Sequence, residues 1–351
     1  MKPSRAVFFE SLEMRCLLSS SVAHLTPQGF TPAQIQQAYS FNQINLTPGP
    51  KTIAKPDGRG QTIAIVTAYR DPNIASDLRT FDKMFGIPNQ VPHGGFALSI
   101  AAPNGRPAID PSWAQETSLD VEWAHAMAPG AKILLVEAKS QSASDLFNAV
   151  DFARKKRGVS VVSMSWGWDT APLGVDYQDI LTTPPRHVAG LSSGDGVTFV
   201  MSAGDSGAAN SWPDSSVNVV SVGGTTLSVD ANGNYASEVP LAQSAQDATV
   251  DYNADPNPGY AVYDSLPFQG QQGWQIGSGT SAGAPQWAAL IAISNQGRAL
   301  DHKHSLDGEA QTLPTLETAP STDFHIITGA ASTAGRGSPF ADRVITTLIN
   351  A

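Results

Sequence analysis

Cysteine is nearly missing. The 351 residues hold a single one, Cys16, so neither an intramolecular disulfide nor a cysteine-built zinc cluster can hold the fold. Long apolar runs are missing too: no stretch approaches the roughly 20 uninterrupted apolar residues of a membrane-spanning helix, and no transmembrane segment is expected. Positive charge is scarce. Against 31 Asp and Glu stand 21 Lys and Arg, a net charge of −10 with a pI near 5.0, which excludes nucleic acid and anionic membrane as main partners because both would repel the protein over long range. Protein or peptide partners stay open. There is no internal repeat and no low-complexity tract.

What is present is a globular composition, with 41% hydrophobic and 15% charged residues, enough for one large core or two modest ones. Thr31 and Pro32 suit a helix N-cap and first position. "QTIAIVTAY" reads as a buried strand, and "NIASDLRTFDKMFGIP" as a helix ending at Gly86 and Pro88. The pattern recurs: "AKILLVEA" as a strand, "SASDLFNAVDFARKKRG" as a helix, then "VSVVSMSWG", "GVTFVMSAG" and "VNVVSVGGTTL" as strands. Hydrophobic runs bounded by Gly and alternating with helices predict an α/β fold, a predominantly parallel central sheet with helices on both faces. Residues from about 230 to 275 read as loop-rich, "QWAALIAISNQGRAL" as a helix, and the chain beyond about 300 as irregular until a final helix in "DRVITTLINA".

One serine occupies a chemically suggestive place. In "GSGTSAGAPQWAAL" Ser281 stands where a glycine-rich turn meets an alanine-rich helix, with Pro285 close behind. Backbone N–H groups and the positive end of the dipole at a helix start would stabilise an oxyanion formed during attack on a carbonyl. The plainer reading makes Thr280 or Ser281 a helix cap. As a nucleophile the hydroxyl needs a base, and two sets compete. Asp71 and His93 precede Ser281 in the order Asp, His, Ser, but "HGGFALSIAAP" reads as a turn into a short strand rather than a helix start. The second set lies in "QETSLDVEWAHAMAPGAKILL", where Glu116 and Asp120 share a helix face and Leu119, Trp123 and Met127 form an apolar stripe. Two close carboxyls tend to share a proton, which raises the pKa of one. A strand running into "SAGDSG" places Asp205 at the C-terminal edge of the sheet, where α/β sites gather. An Asp there donates a hydrogen bond only when protonated. His125 reads as a packing or surface residue.

Together these stretches resemble the sedolisins, serine-carboxyl peptidases with a subtilisin-like fold. The match runs through the "E-x-x-L-D"-type helix at Glu116 and Asp120, "SAGDSG" at Asp205, "GTSAGAP" at Ser281, "S-x-S-W-G" at Ser163 to Gly167, "VGGTTL" and "ADPNPGYAVY". The resemblance implies a seven-stranded parallel sheet and an acid-active serine-type endopeptidase working through an acyl-enzyme. It implies Ser281 as nucleophile, Glu116 as general base and acid, Asp120 as its orienting partner and Asp205 as oxyanion donor. Ser165, Trp166 and Gly167 would bind the substrate backbone as an added strand.

The chain departs from that family in three places. Only about 25 residues precede the mature-like start, where the family carries a long propeptide. The segment between "VGGTTL" and "DATVDYNADP" is short and lacks the glycine-rich stretch near the cleft. In "FHIITGAASTAGRGSPFAD" the first calcium-ligand position falls on Ile326, and the "G-x-G-W-D" loop is missing between Gly329 and Gly335. No calcium site of the family's kind, and no cofactor, is therefore expected; Asp323 or Asp342 are the only nearby substitutes. These departures also motivate a rival reading, a non-catalytic binding or structural module on the same scaffold. Residues 1–24 resemble the "FE-x-LE-x-R-x-LL-S" segment of large exported planctomycete proteins, at Phe9, Glu10, Leu12, Glu13, Arg15, Leu17, Leu18 and Ser19. That implies a targeting-type segment, disordered or removed, followed by one peptidase domain over 25–351, secreted or at the cell surface. Oligomeric state is left open.

Overall fold

The computed structural model describes residues 26–46, 54–89, 95–170, 177–190, 194–207, 211–242, 244, 248–327 and 335–351. Among the described residues the first helix is α1 (Pro32–Ala38), capped by Thr31 in a reciprocal capping box with Gln34 and started by Pro32. Strand β1 (Thr62–Ala68) leads to helix α2 (Ile74–Phe85), which ends on Gly86 in the left-handed region. Then follow β2 (Leu98–Ala101), α3 (Pro111–Met127), β3 (Lys132–Ala138), α4 (Ala143–Lys155), β4 (Val159–Met164), β5 (Thr198–Ser202) and β6 (Val219–Val229).

The sheet order is β2-β3-β1-β4-β5-β6, all parallel, with Ile63 opposite both Ile133 and Val161. Successive strand residues face opposite sides, and the core divides accordingly. Ile63, Ile65, Ile133, Leu135 and Val161 pack on one face with α2, α3 and the long helix α5 described below. Ala64, Val66, Leu134, Val136 and Val162 pack on the other against Leu146, Phe147 and Val150 of α4. The all-round burial of these strands is why they read as unbroken apolar runs.

The stretch from about 230 to 275 corrects the loop-rich expectation. It holds β7 (Tyr235–Pro240), antiparallel to β6; β8 (Val250–Asn253), parallel to β6; and the antiparallel hairpin β9 (Tyr260–Phe268) and β10 (Gln271–Gly277). The expected seven parallel strands are β1 to β6 with β8, and β7 adds an antiparallel eighth. The many Asn, Asp, Gly and Pro residues mark the turns between short strands. The β9–β10 turn, for example, places Gln269 and Gly270 at φ 49° and 80°.

Helix α5 (Gly283–Leu300) starts a little before the expected position and is buried from Gly283 through Arg298. A Cβ at Gly283 would come within 2.7 Å of Val222 and 2.9 Å of Tyr252, so only glycine lets the helix sit this close to the sheet. Beyond 300, where irregular chain was expected, a π-type turn (Gly308–Thr312) and α6 (Leu313–Thr318) precede the expected last helix α7 (Ala341–Asn350). Among the described residues no helix is long and apolar enough to cross a membrane.

Candidate active site

The site is built from α3, the C-terminal ends of β4 and β5, and the turn before α5. Helix α3 starts cleanly: Asp110 accepts the N–H groups of Ser112 (3.0 Å) and Trp113 (3.2 Å), and Pro111 takes the first position. The expected single apolar stripe understates its burial. Of residues 113–127 only Glu116 keeps partial exposure, because the helix is wedged between the sheet, α2, α5 and β9. Trp123 donates its indole N–H to the Ala261 carbonyl at 2.9 Å. His125 is buried packing, with Nε2 3.1 Å from the Pro88 carbonyl and 3.5 Å from Asp82.

Glu116 opens on a cleft that Ser165, Trp166, Gly167, Asp205 and Ser281 also line. The structure thus brings six of the seven sequence-predicted site residues to one place, and the seventh, Asp120, lies buried one helical turn beyond Glu116. Ser281 lines the same cleft wall as Glu116 and lies close enough for its side chain to favour the ionised form of that carboxyl. Ser165 Oγ donates to Asp120 Oδ1 at 2.8 Å and lies 3.5 Å from the Ser281 carbonyl, which ties the carboxyl pair to the serine turn.

Ser281 sits in a 3₁₀ turn (Thr280–Ala282) that runs into α5. The capping alternative fails on geometry: Ala282 holds the cap position of α5, and no side chain caps either helix. Thr280 is used differently. Its N–H donates to Asp205 Oδ1 at 2.8 Å, and its Oγ accepts the Gly204 N–H at 3.0 Å. Gly279, at φ 88°, leaves room for Asp205, whose Oδ2 would stand 2.6 Å from a Cβ at that position.

Burial dominates the electrostatics. It raises the Glu116 carboxyl above the ordinary carboxylate range, against the opposing influence of the Ser281 side chain and with the help of the Asp205 charge. Asp120 is driven well above the ordinary carboxylate range by burial and then by Glu116, while the Ser165 bond opposes the rise. Asp205 is raised by burial despite its bonds from Thr280. Neighbouring buried carboxyls that raise one another, Asp205 acting on Glu116 and Glu116 on Asp120, are held toward their protonated forms above the ordinary carboxylate range. Such a set can take a proton from the serine and offer another to developing negative charge.

No histidine is among the described residues that line the cleft. His93 lies outside the described residues, and Asp71 is not part of the cleft. Sequence reasoning missed Trp168, Asp169, Ser211 and Asp214, which complete the wall beside Trp166. Trp168 pairs with Trp212 by two backbone hydrogen bonds of 2.8 Å. Their only signal was proximity to "SWG" and "AGDSG".

The sequence pattern described as the subtilase family matches residues 95–313, more than half of the chain. This chain belongs to the subtilase family. Among subtilases it is similar to kumamolisin of Bacillus sp. (strain MN-32), 29% identical over 356 residues that cover 86% of this chain and 57% of kumamolisin. It is also similar to sedolisin of Pseudomonas sp. (strain 101), 27% identical over 284 residues, covering 75% and 44%. The chain therefore spans about half the length of the curated relatives it matches. In fold it matches the solved structure of Pseudomonas sedolisin, a serine-carboxyl proteinase complexed with two molecules of pseudo-iodotyrostatin. The TM-score is 0.70 at 18% identity, with 93% of this chain and 99% of that one covered. A lanthipeptide protease follows at TM-score 0.58 and 17% identity, covering 90% and 93%. The subtilisin-like architecture and the sedolisin likeness expected from the motifs both stand.

Proposed function

We propose that this subtilase is a serine-type endopeptidase of the serine-carboxyl kind, acting on protein or peptide substrates in acid. The observation that carries the reading is the meeting of Ser281 and Glu116 in one cleft, close enough for the serine side chain to act on the carboxyl, which sets a hydroxyl at a helix start beside a carboxyl base. Ser281 Oγ attacks the scissile carbonyl as Glu116 takes its proton; Glu116 then hands that proton to the leaving amine, and an acyl-enzyme remains. Water attacks the acyl group with Glu116 again as base. Asp120, held by Ser165, orients Glu116. Protonated Asp205 donates to the oxyanion, and losing one such donor commonly costs about 2.7–4 kcal/mol of transition-state stabilisation. The Ser165–Gly167 segment, which continues β4 beyond its last paired residue, suits an extended peptide laid alongside it.

At the family's C-terminal calcium position the residues do not fit that ion. Ile326 has an aliphatic, 72% exposed side chain, and the Asp323 carboxylate accepts the Thr347 hydroxyl at 2.6 Å. Residues 328–334 lie outside the described residues. The proposed mechanism has no calcium at that place. The likeness of residues 1–24 to an export-associated segment supports a secreted or cell-surface location.

The test is digestion of denatured casein from pH 3 to 8 by the protein and by Ser281→Ala. Cleavage confined to acid and abolished in the variant is expected. Folded protein that leaves casein intact at every pH would favour a non-catalytic module on the same scaffold.

A further inference from the structure

Away from the cleft, three aspartates from three segments converge. Asp71 lies in the turn after β1, Asp77 in the first turn of α2, and Asp264 in the middle of β9; one carboxylate oxygen from each lies within 4.8 Å of the other two. All three are buried, at 3%, 2% and 0% exposure. Each has one oxygen fixed by a main-chain N–H. Asp71 Oδ1 accepts from Asn73 at 2.7 Å, Asp264 Oδ1 from Leu266 at 2.7 Å, and Asp77 Oδ2 from both the N–H and the hydroxyl of Ser265 at 2.9 Å. The second oxygens are a different matter. Those of Asp71 and Asp264 are buried with no hydrogen-bond partner at all, and that of Asp77 has only the Ser76 hydroxyl at 3.3 Å.

Buried carboxylate oxygens without donors are costly, and two of them belong to this one cluster. Burial and mutual repulsion push Asp71 up to about 6 and Asp264 to about 7, so the ionised trio requires compensation. Arg70 acts on Asp71, but no ion pair joins a cation to any of the three among the described residues. Orienting hydrogen bonds on one oxygen and an unpaired second oxygen are what carboxylate metal ligands require.

We propose that Asp71, Asp77 and Asp264 form a divalent-cation site of the calcium type, which clamps β9 to the β1–α2 turn. Every donor is a carboxylate oxygen, the set preferred by hard cations, and among the described residues the cluster includes no nitrogen or sulfur ligand to favour zinc. At Ca²⁺–O distances of about 2.3–2.6 Å, ligands on opposite sides of the ion stand roughly 4.6–5.2 Å apart, which spans the cluster. The site also reaches the catalytic helix. Next to Asp264, the Tyr263 N–H donates to Glu122 of α3 at 3.0 Å, so the ion braces the element that holds Glu116 and Asp120. The proposal does not depend on the peptidase reading.

The experiment is isothermal titration with CaCl₂ at pH 7.5. The full chain, with Ser281→Ala to prevent self-digestion, is first treated with EDTA and dialysed. One Ca²⁺ per chain is expected, with Kd at or below about 10⁻³ M. Binding should weaken at least tenfold in Asp264→Asn and in Asp77→Asn and stay unchanged in Asp342→Asn. If either variant fails to fold by circular dichroism, Asp71→Asn reads the same equilibrium. No saturable heat from folded protein, or equal affinity in the aspartate variants, would overturn the assignment.

Discussion

Replacing Gly279 by alanine isolates the placement of Asp205 from everything else in the cleft. Two costs can be worked from the structure. At φ 88° and ψ 171° the backbone lies where essentially only glycine is comfortable, so alanine costs about 1–3 kcal/mol. Its Cβ would also stand 2.6 Å from Asp205 Oδ2, which forces the carboxyl aside and breaks its 2.8 Å bond from Thr280 N–H, worth about 1 kcal/mol net. For a chain of this length, at about 2.1 cal/mol/K per residue, a loss of 2–4 kcal/mol lowers Tm by roughly 3–5 °C. The activity loss should be far larger. With the oxyanion donor displaced, casein cleavage at pH 4 should fall about 10²–10³-fold. Gly270→Ala is the control: it shares a positive φ of 80° but meets nothing within 4 Å, so it should cost stability and leave activity alone. If Gly279→Ala kept activity within threefold at a Tm loss like that of Gly270→Ala, Asp205 would not be the oxyanion donor.

Two further outcomes concern pH. The productive state has Glu116 ionised and Asp205 protonated, so kcat/KM should be bell-shaped and fall on the alkaline side as Asp205 ionises; Asp205→Asn, which donates at any pH, should remove that alkaline limb. A flat wild-type profile from pH 4 to 8 would refute the assignment. Stability should fall as pH rises, because carboxyls whose folded pKa lies above the unfolded one favour the fold most below about pH 4 and lose that advantage up to the folded value. Asp251, pushed by burial from 3.8 to about 7, accounts for at most about 4 kcal/mol at 1.36 kcal/mol per pH unit. Chemical denaturation at pH 4 and 7.5 should show a smaller difference in Asp251→Asn than in wild type; an unchanged difference would remove Asp251 from the account.

Much of this was legible in the sequence. Strands buried on both faces declare themselves as apolar runs, which is why β1, β3 and β5 were readable to within a residue or two. The carboxyl pair was readable because four residues make one helical turn, whatever surrounds the helix. The burial of α3 was not readable, since Gln115, Thr117, Ser118 and Glu122 look like a solvated face until β9 and α5 cover them. Thr280 looked like a cap because caps are local, while its actual partners, Gly204 and Asp205, arrive from β5. The short strands β7 to β10 were hidden by the turn residues that separate them. The meeting of Asp71 and Asp77 with Asp264 depends on where the β9–β10 hairpin docks, and no local pattern encodes that.

The enclosure of α3 has a consequence for how such a protein can change over generations. Glu116 is the one residue between Trp113 and Met127 that reaches the surface, so nearly every substitution along the helix disturbs packing before it touches a substrate. Altered preference has to come instead from the segments at the strand ends, Trp168 to Asp169 and Ser211 to Asp214, which line the cleft without carrying the reacting groups. On the proposed peptidase reading, the chemistry and the choice of target sit on separate pieces of chain, and diversification can proceed on one while the other stands still.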